Sequence, residues 1–144
     1  MSEVKSAMMY LQSLNVPKNG SIIFDIDDTL IRSYRKRSPG DNGLIQPVKD
    51  LYDYARYIGL QPFIVTNRDG TVENTAYTHK ELERHGIVGY DTVYFRDPMC
   101  TDMWVPKLNA RKHIYDRGYV TVMSVGDMPW DIGQYGGYGV LLPS

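Results

Sequence analysis

Cysteine is almost missing from this chain. Cys100 stands alone among 144 residues, so no intrachain disulfide can form, and a reducing compartment is expected. Long apolar runs are missing too. No stretch approaches the ~18 residues that a membrane-spanning helix needs. The first fourteen residues lack the basic start, the continuous apolar run and the small-residue cleavage site of a signal peptide. The expectation is therefore a cytoplasmic chain without membrane attachment. No excess of one charge sign exists either. Lys plus Arg number 16 and Asp plus Glu 17, a formal net charge of −1, so polyanion binding would need a local patch. Histidine is scarce, and His79, His85 and His113 share no zinc-ligand spacing with Cys100. Internal repeats, low-complexity tracts and linkers are absent, which predicts one domain over residues 1–144.

What is present is an alternation of helix and strand. Val4, Ala7, Met8, Leu11 and Leu14 recur at three- and four-residue steps, predicting an amphipathic helix over about residues 3–15. Ser21 to Phe24 is a short apolar run that reads as a buried strand. Residues 31–46 are polar and basic with a Pro39-Gly40 turn, and read as a loop or flap. Pro47 opens the next helix and Gly59 closes it. Pro62 to Thr66 is the second strand, Val72 to His85 the third helix and Thr92 to Phe95 the third strand. After a loop from Arg96 to Pro106, a helix spans Lys107 to Arg117. Tyr119 to Val125 and Gly139 to Leu142 are the last strands. Strands separated by single helices imply parallel pairing with right-handed crossovers, an α/β class.

In such sheets, sites form at the carboxyl ends of the strands. The chemically interesting residues fall there: Asp25 and Asp27 after strand one, Thr66 and Asn67 after strand two, Asp127 and Asp131 after strand four. Four converging carboxylates repel, so either a proton or a cation must sit among them. An all-oxygen set suits a hard cation such as Mg²⁺. Loop amides after strand one, the Thr66 hydroxyl and the Asn67 amide can donate to phosphate oxygens. Lys107 can neutralise charge developing on a phosphoryl group, with Lys112 as the alternative. The set fits phosphoryl transfer.

These residues carry a family resemblance. Asp25-Ile26-Asp27-Asp28-Thr29 resembles the first motif of the haloacid dehalogenase (HAD) superfamily. Ile64-Val65-Thr66-Asn67-Arg68 resembles the second, Lys107 the third, and Gly126-Asp127-Met128-Pro129-Trp130-Asp131 the fourth. The stretch Thr78, Leu82 and Gly86-Ile87, with Arg111, Ile114 and Gly118-Tyr119, is similar to the acid-phosphatase-like (subfamily III) branch. The resemblance implies a three-layer Rossmann-like fold with a five-stranded parallel sheet ordered 5-4-1-2-3. It implies a phosphomonoester hydrolase with Asp25 as nucleophile, forming an aspartyl-phosphate, and Asp27 as general acid and base. Mg²⁺ would be held by Asp25, the Asp27 carbonyl and Asp127, with Asp131 acting through water or orienting the loop. Thr66, Asn67, Arg68 and Lys107 would hold the phosphate. A phosphotransferase or phosphomutase sharing that intermediate, and a non-catalytic phospho-ligand or protein-binding module, are the competing readings.

Residues 31–46 leave room only for a short flap, and residues 68–106 are used by one helix, one strand and one loop. No cap domain is therefore expected. An open site would admit a nucleotide, a nucleic-acid end or a phosphoprotein. Arg32, Arg35, Lys36 and Arg37 read either as a polyanion-attracting rim or as a solvated loop. The loop Met99 to Trp104 either contacts substrate, packs in a homo-oligomer interface, or packs within the chain. Arg68 either reaches a second phosphate or pairs with Asp69 or Glu73.

Overall fold

The computed structural model describes residues 1–143. Five strands form one all-parallel sheet ordered β3-β2-β1-β4-β5, the expected order read from the other edge. The strands are β1 (Gly20–Phe24), β2 (Gln61–Asp69), β3 (Val93–Arg96), β4 (Val120–Gly126) and β5 (Tyr138–Leu141). The helices are α1 (Ser2–Gln12), α2 (Gln46–Tyr57), α3 (Val72–Arg84) and α4 (Trp104–Asp116). No helix among the described residues is long and apolar enough to cross a membrane.

The central strand shows why a helix layer covers each face. Every residue of β1 is buried, and successive side chains of a strand point to opposite faces. Ile22 and Phe24 join the core beneath α1, α2 and α3, with Val4, Leu51, Tyr52 and Leu82. Ile23 joins Phe63 and Val65 against Ala110 and Ile114 of α4. Full burial of one such side chain contributes roughly 1.5–3 kcal/mol. Tyr52 is fully buried only because its hydroxyl donates to the Val88 carbonyl oxygen at 2.7 Å.

Several boundaries differ from the sequence reading. Helix α1 stops at Gln12, where the Ser13 hydroxyl donates to the Tyr10 carbonyl oxygen and ends the ladder. Strand β2 runs on to Asp69 because its end pairs with Arg96 of β3. Helix α4 begins at Trp104, three residues before the expected start. Pro106 sits within its first turn, where no intrahelical N–H is needed. Asp102 Oδ1 accepts from the Trp104 N–H at 2.7 Å and replaces a missing helical partner. Residues 25–45 hold only a three-residue 3-10 turn at Tyr34–Lys36. Ile31 bridges both Asp27 and Leu44, closing this loop against the sheet edge.

Candidate active site

Beyond β1 the chain turns sharply. The Asp25 N–H donates to the Val125 carbonyl oxygen at 3.0 Å, continuing the ladder with β4 for one residue. The Ile26 carbonyl then accepts from Thr29, Leu30 and Ile31. Asp28 takes a left-handed conformation (φ 59°), which an Asp tolerates better than most residues. Its carboxylate accepts from the Ser33 N–H at 2.9 Å and stays ionised below the usual range. Burial alone would raise it, but that hydrogen bond and Lys36 outweigh burial. This turn aims Asp25 and Asp27 into one cavity of 380 Å³, shared with Asn67, Arg68, Lys107 and Asp127.

Asp25 is buried and held from two sides. Thr29 Oγ1 donates to its Oδ2 at 3.2 Å, and Lys107 Nζ donates to its Oδ1 at 2.9 Å. Lys107 also lies 2.5 Å from Asp131 Oδ1 and donates to the Val65 carbonyl oxygen at 2.7 Å. Burial works against a charged lysine, but Asp25 and Asp131 more than compensate and raise its proton affinity. Lys112 takes no part: it is exposed and pairs with Asp116 one turn along.

Asp25, Asp127 and Asp131 each place a carboxylate oxygen within 4.8 Å of the others. One lysine against three acids leaves excess negative charge. Burial first, and then the Asp25 charge, push Asp127 up to about 7. Asp131 is raised by the same two causes, with Lys107 opposing. The loop holding the last two acids is tight. The Met128 N–H donates to Asp131 Oδ2 at 3.0 Å, and the Asp131 N–H returns to the Met128 carbonyl. Gly126 is required here, because a Cβ would collide with the Asp131 side chain.

Asp27 makes a bidentate pair with Arg68, at 3.0 Å from Nε and 2.8 Å from Nη2. The other side of Arg68 meets Thr78 Oγ1 at 3.1 Å and Glu81 Oε1 at 2.8 Å. Arg68 therefore pairs with neither Asp69 nor Glu73. Asp69 instead accepts from the Asn74 side chain, and Arg68 projects toward α3. Buried Glu81 was not singled out from the sequence, and its helical position offers no motif that would reveal it. Thr66 is buried, and its hydroxyl accepts from the Arg68 N–H at 3.1 Å. Asn67 spends its amide on the Met103 carbonyl oxygen at 3.2 Å, tying β2 to the start of α4.

The basic cluster of the flap spends much of its charge internally. Arg32 pairs with Asp41 at 2.6 Å, Lys36 with Asp28 at 3.4 Å and Arg37 with Glu81 at 3.8 Å. Arg35 stays exposed. His79 bonds Tyr90 and His113 bonds Tyr94, while Cys100 lies in the loop before α4 with its thiol on the Asp102 carbonyl oxygen.

Residues 35–138 match the family described as HAD superfamily, subfamily IIIB (Acid phosphatase). No curated protein matches the chain. The fold is similar to that of several solved structures, two of which follow. A chain described under "Structure of the Pnkp1/Rnl/Hen1 RNA repair complex" superposes with TM-score 0.67 at 15% identity, over 90% of this chain and 44% of that one. A chain under "Structure of Pnkp1/Rnl/Hen1 complex" gives TM-score 0.69 at 18% identity, over 89% and 47%. At such identities the likeness shows a shared fold, and this chain spans less than half of those chains' length.

Proposed function

The chain belongs to the HAD superfamily, subfamily IIIB (acid phosphatase), and from that membership we propose that it is a Mg²⁺-dependent phosphomonoesterase working through an aspartyl-phosphate on Asp25. One observation carries the reading. Buried Asp25 lies 2.9 Å from Lys107 and shares a 4.8 Å cluster with Asp127 and Asp131. A lone structural ion pair would not need two further acids.

The cluster fits a hard divalent cation. Its donors are all oxygen, and burial together with its surplus negative charge drives Asp127 toward holding a proton. Asp25 and Asp127 would hold the ion together with the Asp27 carbonyl, and Asp131 would orient the loop. Bound Mg²⁺ would neutralise phosphoryl oxygens and the nucleophile's charge.

Asp25 attacks phosphorus through a carboxylate oxygen, and the bond to the ester oxygen breaks. Asp27 gives its proton to the departing oxygen. It later takes a proton from water, which attacks the aspartyl-phosphate and releases phosphate. Lys107 fixes the attacking carboxylate and faces the transferring group. Thr66 and the amides after β1 supply donors to its oxygens. Asp27 must first leave Arg68, since both its oxygens are engaged there. An incoming phosphate monoester offers that guanidinium a competing anion, so substrate frees the Asp27 carboxylate to take up the proton it then donates. The chemistry needs no cap. The short flap leaves the site open to a nucleotide, a nucleic-acid end or a phosphoprotein, in one domain working in the cytoplasm.

Hydrolysis of 4-nitrophenyl phosphate, measured with Mg²⁺ and with EDTA beside Asp25→Asn, tests the reading. Turnover should need Mg²⁺ and disappear in the variant. Wild-type silence on aryl phosphates, nucleotides and phosphorylated oligonucleotides would point instead to a binding module.

A further inference from the structure

Glu81 is a charged residue in a place where charge is costly. It is 2% exposed, on the buried face of α3 with Thr78 and Leu82. A carboxylate taken out of water is unfavourable unless cations answer it. A buried ion pair is weak evidence for stability, since a well-packed apolar replacement often serves as well. Stability alone therefore gives no reason for a carboxylate here. Its partners do.

Two cations reach it from two other parts of the chain. Arg68, near the end of β2, places Nη1 2.8 Å from Glu81 Oε1, and Arg37 of the flap places Nη2 3.8 Å from Oε2. Thr78 precedes Glu81 by three positions on the same helix face, and its hydroxyl accepts from that same Nη1 at 3.1 Å. The fork of Arg68 is thus divided. Nη1 is engaged by α3, while Nε and Nη2 are engaged by Asp27. The Asp27 side chain is 46% exposed and the Arg68 side chain 16%. Asp27 is the half-exposed partner of the guanidinium, and Glu81 the buried one.

The proton step needs Asp27 to leave Arg68 while Arg68 stays in place. We propose that Glu81 is a positioning residue for that step: it anchors the guanidinium from the α3 side, so that Asp27 can turn to the ester oxygen without stranding the arginine. The proposal rests on the phosphatase reading, with Asp27 as its acid. Glu81 touches neither substrate nor the reacting atoms and acts through Arg68. With Glu81 neutral, Asp27 is the one carboxylate left on Arg68 among the described residues. The guanidinium then holds Asp27 more firmly, and the acid reaches the leaving oxygen less often.

Leaving groups separate this role from a structural one. 4-Nitrophenolate departs without help from an acid, whereas the alkoxide of benzyl phosphate needs the proton. The readout is kcat/KM for 4-nitrophenyl phosphate divided by kcat/KM for benzyl phosphate, which covers phosphoryl transfer to Asp25 in both. Glu81→Gln should raise this ratio by about ten-fold, a fraction of what a well-placed acid supplies. A merely structural role lowers both values together and leaves the ratio alone. Glu81→Asp keeps the charge but draws it back by one methylene, so its ratio should rise less. Asp27→Asn has no proton to give and sets the upper limit. A wild-type ratio in Glu81→Gln overturns the proposal, as does a wild-type ratio in Glu81→Asp where only that variant folds. A rise in Glu81→Asp as large as in Glu81→Gln also overturns it, because the charge would then be idle. An unchanged ratio in Asp27→Asn removes Asp27 as the acid, and the proposal with it. Wild-type silence on both esters overturns the phosphatase reading itself.

Discussion

Lys107 Nζ sits 2.9 Å from Asp25 Oδ1, although 82 positions separate the two residues. Asp25 follows directly on the central strand and Lys107 rises from the first half of α4, so the contact reports how that helix lies on the sheet. The same ammonium is 2.5 Å from Asp131. Among the described residues it is thus the one cation paired with both the proposed nucleophile and the loop of the fourth motif.

Lys107→Met should lower turnover by about 10²–10³-fold, the usual effect of removing one group that faces the transition state. Lys112→Met should be close to wild type, because Lys112 is exposed and pairs with Asp116. Steady-state hydrolysis of an aryl phosphate compares them. Equal losses in both variants would unseat Lys107 from its role.

Arg68 is wedged between Asp27 and buried Glu81. Arg68→Met strips Glu81 of its close partner and should cost about 3–5 kcal/mol in urea unfolding. Adding Glu81→Gln to that variant should recover part of the loss, since the stranded charge is then gone. A double variant less stable than Arg68→Met alone would show that Glu81 does not depend on Arg68.

Burial, and then the Asp25 charge, push the Asp127 carboxyl up to about 7 from an ordinary 3.8. Between those values the folded, metal-free chain holds a proton that the unfolded chain has lost. Stability of the EDTA-treated protein should therefore fall as pH rises through that window. Mg²⁺ requires the same carboxylates unprotonated, so it should raise the thermal midpoint more at about pH 8 than at about pH 5. An equal Mg²⁺ effect at both values would exclude this cluster as the metal site.

Gly126→Ala should destabilise by about 1–3 kcal/mol, because its new methyl group would occupy the space of the Asp131 side chain. The displaced loop should also weaken the Mg²⁺-induced rise in thermal midpoint. A stable variant with an unchanged Mg²⁺ response would show that the loop can move without harm to the site.

Much of the site was legible because its residues end strands. A strand end followed by Asp25-Ile26-Asp27, Thr66-Asn67 or Gly126-Asp127 puts polar groups at one edge once the strands run parallel, and single helices between strands force that direction. The start of α4 was not legible, because Pro106 reads as a breaker unless the helix is known to begin just before it. The partner of Arg68 was hidden for a different reason. Asp69 and Glu73 are near in sequence, but side-chain direction on β2 sends Arg68 to Asp27 and to Glu81 on α3.

The amino-acid sequence by itself determined the alternation of elements, the all-parallel sheet and the carboxylates at its edge. Those follow from local periodicity and from the reach of single-helix crossovers. Tertiary structure alone decided which lysine faces Asp25, that Arg68 bridges Asp27 and Glu81, and that three of the four flap cations are paired within the chain. Each of these is a contact between residues distant along the chain. Such contacts depend on how helices lie against the sheet, and no pattern within a single element encodes that.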